Sequence, residues 1–103
     1  MENYFISPVD PDRSDKHLVP VIYDIPLNKR RAKFVKLMES YGVRVQKSAF
    51  EMIITDVQYH DLISRIPHYI TDEDNIRVYK LRMDTPIESW GSGMTVAEDV
   101  III

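Results

Sequence analysis

Alternation with a period of two opens the readable part of the chain. From Leu18 to Ile25 the residues Val19, Val21, Tyr23 and Ile25 fall on one face, while Ile22 and Asp24 share the other. This predicts a first strand. Pro20 cannot donate to a ladder, so regular pairing is expected from Val21 onward. The period then changes to that of a helix. Phe34, Val35, Leu37, Met38 and Tyr41 share one sector, with Lys29, Lys33 and Lys36 opposite and Arg30 and Arg31 flanking in the first turn. Asn28 as N-cap and Gly42 at C′ bracket a helix over Lys29–Tyr41.

A β-branched and aromatic stretch, Val43–Ile54, is long for one strand and predicts a bend or bulge near Lys47 or Ser48. Thr55-Asp56-Val57-Gln58 has the form of a capping box and opens a second helix with Leu62, Ile63 and Ile66 inward; Pro67 ends its regular part. After the polar turn Thr71–Asn75 comes a third strand, Ile76–Leu81. If the long second strand folds back as a hairpin, the order becomes βαββαβ, an α+β ferredoxin-like sandwich. Residues 1–17 read as an irregular N-terminal leader and 18–82 as the domain. Residues 83–103 read as a tail closed by the apolar run Val100-Ile101-Ile102-Ile103, an additional edge strand for this chain or a neighbour.

Composition narrows the function classes. At 103 residues, 45% hydrophobic and 28% charged, the chain is expected to be one globular domain. It has no cysteine, which excludes disulfides, thiolate metal sites and cysteine nucleophiles. No apolar run reaches the roughly 18 to 20 residues of a membrane span, and no signal-like start is present, so a cytoplasmic location without membrane contact is expected. The net charge of -3 argues against nucleic-acid binding, but its distribution does not. Residues 29–47 carry seven basic side chains against one acid, Glu39, whereas 84–103 hold four acids and no Lys or Arg.

Asp24 is the first candidate for chemistry. A strand-end carboxylate is a hard ligand suited to Mg2+; it is equally a residue that caps the following turn. As a ligand it lacks a partner in its own segment, which a two-fold axis beside it would supply. The basic set Lys29, Arg30, Arg31, Lys33, Lys36, Arg44 and Lys47 suits phosphate backbones. Few aromatics interleave with it, so duplex binding is expected rather than base stacking. First-turn cations oppose the helix dipole, so local stability did not select them. His17, His60 and His68 show no ligand spacing, no serine has a nucleophile-elbow setting, and Gly91-Ser92-Gly93 lacks a phosphate-loop continuation. Trp90 is either a docking anchor or packed within the chain.

Taken in order, Val21-Ile22-Tyr23-Asp24-Ile25, Lys29-Arg30-Arg31-Ala32-Lys33-Phe34, Tyr41-Gly42, Val45-Gln46-Lys47-Ser48-Ala49-Phe50-Glu51 and Ile76-Arg77-Val78-Tyr79-Lys80-Leu81 resemble CRISPR-associated protein 2. The resemblance spans about residues 18–82. Met52 departs from it, standing where glycine often follows the Phe-Glu pair. The resemblance implies a ferredoxin-like homodimer in which Asp24 faces its symmetry mate and shares a Mg2+. It places Ser48 and Phe50 near the dimer interface, with Val100, Ile101 and Ile102 completing the partner's sheet. It further implies a metal-dependent endonuclease acting on RNA or DNA, with Asp24 as the catalytic residue, and a scaffold joining dimers of the CRISPR integrase (CRISPR-associated protein 1) around prespacer duplex DNA. The alternatives are a ribonuclease toxin of ferredoxin-like type and a small-molecule sensor domain; the glycine-rich effector loop a sensor needs is missing.

Overall fold

The computed structural model describes residues 15–91. The expectations for residues 1–14 of the leader and for the terminal apolar run therefore lie outside the described residues, while Lys16 and His17, expected in the leader, already belong to the first strand. Within them the elements are β1 (Lys16–Asp24), α1 (Asn28–Glu39), β2 (Val43–Gln46), β3 (Ala49–Thr55), α2 (Asp56–Arg65) and β4 (Asn75–Val78), with one 3-10 turn, Ile66–His68, after α2. The sheet order is β2-β3-β1-β4 and every pairing is antiparallel. This is the βαββαβ ferredoxin-like arrangement the sequence pattern pointed to.

One face of the sheet carries the core. Val19, Val21, Tyr23 and Ile25 from β1 and its exit meet Phe50, Met52 and Ile54 from β3. Phe34, Leu37 and Met38 of α1 and Leu62 and Ile66 at the α2 end close over them. The ring of Tyr23 lies 5.2 Å from Phe34 and 6.1 Å from Phe50, centroid to centroid. Ile63, expected inward, is 38% exposed: Leu62 and Ile66 fill the space under α2.

β1 pairs over more of its length than Pro20 suggested. Its register with β3 runs from Lys16↔Thr55 to Ile22↔Ala49. Pro20 points its missing donor the other way, toward the chain after β4, where its carbonyl still accepts Tyr79 N–H at 2.9 Å. Leu18 and Leu81 then exchange both bonds, at 3.0 and 2.8 Å, in the same register. The ladder therefore continues past Val78, short of the one bond that proline cannot make.

The long apolar stretch folds back at Lys47-Ser48 as a hairpin, with a register shift between Arg44 and Gln46. β1 fastens this turn: Tyr23 N donates to the Ser48 carbonyl at 3.0 Å and the Tyr23 hydroxyl to the Lys47 carbonyl at 3.1 Å. The Thr55–Gln58 capping box forms in full. The ends of α1 differ from expectation. Leu27 holds the N-cap position with no side-chain cap, and Asn28 is the first helical residue, its Oδ1 accepting from Arg31. Gly42 is not in the left-handed region; what requires glycine there is the approach of β3.

Candidate acidic and cationic site

Asp24 ends β1 on the face away from the helices, exposed like Ile22 two residues before it, and lies opposite Asn75 of β4. Its carboxylate has no hydrogen bond or ion pair among the described residues, so the capping alternative is not realised. Among the described residues no group of three or more His, Asp or Glu is placed to hold a metal ion. The donor chemistry nevertheless fits Mg2+: an unpaired hard oxygen ligand, of the one or two carboxylates such an ion takes while keeping its waters. One chain supplies one such carboxylate here.

The seven basic residues divide by what they touch. Arg30 is committed. Its Nε donates to Asp74 Oδ2 at 2.7 Å and its Nη2 to Oδ1 at 2.8 Å, a two-pronged pair, with Glu73 at 3.3 Å. The Asp74 side chain has no exposed surface, and the Arg30 guanidinium, helped by the Thr71 backbone, holds its carboxyl below the usual range. Arg31 is committed too, donating to the carbonyls of Ile25 (2.7 Å) and Pro26 (3.4 Å). Arg44 donates to the Lys47 carbonyl at 2.7 Å and braces the hairpin turn. Lys29, Lys33 and Lys36 stay exposed along α1. They border two adjoining hollows of about 410 and 420 Å³ that share Lys33 and Tyr69, with His68 and Thr71 on the far wall of the first. Lys47 is exposed on the hairpin turn.

Phe50 is wholly enclosed in its own chain's core, so its ring has no exposed surface in the single chain. Ser48 is exposed on the turn, while Val100, Ile101 and Ile102 lie outside the described residues. Trp90 stands 85% exposed, against packing within the chain.

Two clusters escaped the sequence reading. At one end Asp56 meets Lys80 Nζ at 2.9 Å, within ion-pair reach though off the hydrogen-bonding direction, and His17 Nδ1 at 3.4 Å; Lys80 also sits 4.8 Å over the Tyr59 ring. At the other, the Tyr41 hydroxyl donates to Asp61 Oδ2 at 2.5 Å, and Arg65 closes on the same carboxylate at 3.1 Å. Burial, and then the Asp61 carboxylate, push the Tyr41 phenol up to about 12 from 10.0. A raised folded value gives stability that is complete below pH 10 and lost as the pH rises through about 12. Tyr41→Phe is expected to flatten this alkaline limb in a series of thermal melts; an unchanged limb would show that the bond contributes nothing.

These features define a small ferredoxin-like domain whose free carboxylate leaves the first strand beside a lysine-lined helix. The sequence profile described as CRISPR associated protein Cas2 matches residues 17–85. The CRISPR-associated endoribonuclease Cas2 of Mycobacterium tuberculosis (strain CDC 1551 / Oshkosh) is 40% identical over 98% of this chain and 93% of its own. Streptococcus pyogenes Cas2 superposes with a TM-score of 0.62 at 33% identity, over 72% of this chain and 99% of that one. A chain from a partial Cas6-RT-Cas1–Cas2 complex does so at 0.58 and 38%, over 67% and 82%. The chain belongs to the Cas2 family of CRISPR-associated proteins. The resemblance carried by the strand, helix and hairpin motifs holds, as does the ferredoxin-like fold. Among the described residues no helix is long and apolar enough to cross a membrane.

Proposed function

We propose that the protein works in CRISPR adaptation as a homodimer that holds prespacer duplex DNA between integrase dimers, with slow Mg2+-dependent phosphodiester cleavage as a secondary activity. The observation that carries the reading is the division of labour around β1: a carboxylate left free at its exit, and three solvent-facing lysines on the helix that follows. Likeness to a chain of a Cas1–Cas2 complex supports the adaptation role. The uncovered sheet face, with Ile22 49% and Tyr79 42% exposed, supports a second copy packed there, which would complete the Asp24 half-site.

Bound Mg2+ supplies a water of lowered pKa and neutralises charge on the scissile phosphate. The chain's own residues do the rest: Asp24 offers the ligand oxygen, and Lys29, Lys33 and Lys36 hold the phosphate backbone at a distance set by α1. Among the described residues no general base accompanies Asp24, so cleavage is expected to be slow.

Asp24→Ala is expected to abolish metal-dependent cleavage and to leave spacer acquisition largely intact. Full cleavage by a contamination-controlled preparation overturns the catalytic part; loss of acquisition with a normally assembled complex overturns the scaffold part. Replacing Lys29, Lys33 and Lys36 together by alanine is expected to reduce the slope of log affinity against log salt for a duplex by about 2.7 per chain, at about 0.9 per phosphate contact. An unchanged slope would mean the row is only a solvated face.

A further inference from the structure

We infer that Arg30 and Arg31 are positioning residues for Asp24, fixing from two sides the backbone that presents its carboxylate. The inference rests on the reading of Asp24 as a metal ligand and extends it to side chains that never touch Asp24.

With no partner for its own side chain among the described residues, Asp24 is placed there by its neighbours along and across the sheet. Immediately before it, Tyr23 N is bonded to the Ser48 carbonyl. Immediately after it, the carbonyls of Ile25 and Pro26 are both gathered by Arg31, which also reaches Asn28 Oδ1. The exit from the strand is thereby tied to the first turn of α1. Laterally, Asp24 pairs with Asn75, the first residue of β4. The residue before Asn75 is Asp74, the carboxylate seized by Arg30. Asp74 also closes its own turn: Oδ2 accepts Thr71 N–H at 2.9 Å, while its N–H donates to the Thr71 carbonyl at 3.0 Å. Adjacent arginines on one helical turn therefore anchor the loop that leaves Asp24 and the strand beside it. Both guanidinium forks are filled, so neither is free to take a phosphate in the same geometry.

Charge and position make opposite predictions here, which renders the inference testable. Removing a cation near a metal site makes the local potential more negative and, on charge alone, tightens binding of a divalent cation. Loss of positioning weakens it. Mn2+ binding to the full-length chain, followed by electron paramagnetic resonance, is the readout for wild type, Asp24→Asn, Arg31→Met, Arg31→Lys, Arg30→Lys and Asp74→Asn.

Asp24→Asn is expected to abolish the tight site. Each clamp variant, including the charge-conserving lysines, is expected to weaken it by about 10- to 100-fold, the usual effect of residues that orient a ligand. Equal or tighter binding in Arg31→Met and Arg30→Lys overturns the inference. If Asp24→Asn binds Mn2+ as wild type does, the ligand reading fails instead, and hydrogen exchange decides the positioning role alone. In that case the Asp24 and Asn75 amides must exchange faster in the clamp variants while amides of the β2–β3 hairpin do not; unchanged exchange overturns it. Should Arg30→Lys fail to fold, Arg31→Lys and Arg31→Met carry the same comparison.

Discussion

Gly42→Ala is expected to cost this chain about 3 kcal/mol or more, at the upper end of what overpacking does. The Cβ would lie 2.3 Å from the Glu51 carbonyl oxygen, 2.6 Å from Met52 Cβ and 2.9 Å from Met52 Cα. No flexible side-chain tip is available to yield. Glu51 is the residue opposite Val43 in the β2–β3 pairing, and Met52 is fully buried in the core. Relief requires either moving the hairpin away from the end of α1 or pushing Met52 into a packed core. Against a total stability of about 5–15 kcal/mol, such a loss is a large fraction. Urea unfolding measures it; a midpoint within error of wild type would mean that the hairpin shifts freely and that the contact is not a constraint.

Phe50→Ala is expected to have an effect of similar or larger size, about 3–5 kcal/mol, because it empties a fully enclosed aromatic site beside Tyr23. It also separates two roles. A residue of the chain's own core lowers stability by the same amount at every protein concentration. An interface residue lowers it by weakening association, so its effect shrinks on dilution as the wild-type dimer itself comes apart. Denaturation at two concentrations a hundredfold apart distinguishes these, and a loss that shrinks on dilution would assign the ring's contribution to a dimer instead.

The sequence made visible what local chemistry controls. The capping box at Thr55 and Gln58, the apolar stripe of α1 and the alternation of β1 are short-range signals, and each forms as read. Asp24 was found because it sits at a strand exit, a position set by its immediate neighbours. What failed depended on distant partners. The reach of β1 was underestimated because Pro20 loses a donor on only one side, and which side depends on strands thirty or more residues later. Gly42 reads as the C′ residue of the first helix, whereas its constraint comes from β3. The basic run looked uniform because sequence cannot show where a side chain points: Asp74 and Glu73 lie forty-odd residues from Arg30. Charge alone makes residues 29–47 look like seven equal contacts, where the fold divides them into braces and free ends.

On the proposed function, that division would set how the outer surface of α1 meets a polymer. The rigid, forked cations are turned inward to hold carbonyls and carboxylates. Left outside on this helix are lysines, point charges on pliant four-carbon stems, without a planar geometry to match against any particular base edge. Such a surface carries attraction without a template. A duplex held there, as proposed, would be gripped by charge density, free to slide by a nucleotide or more, whatever the letters of its strands.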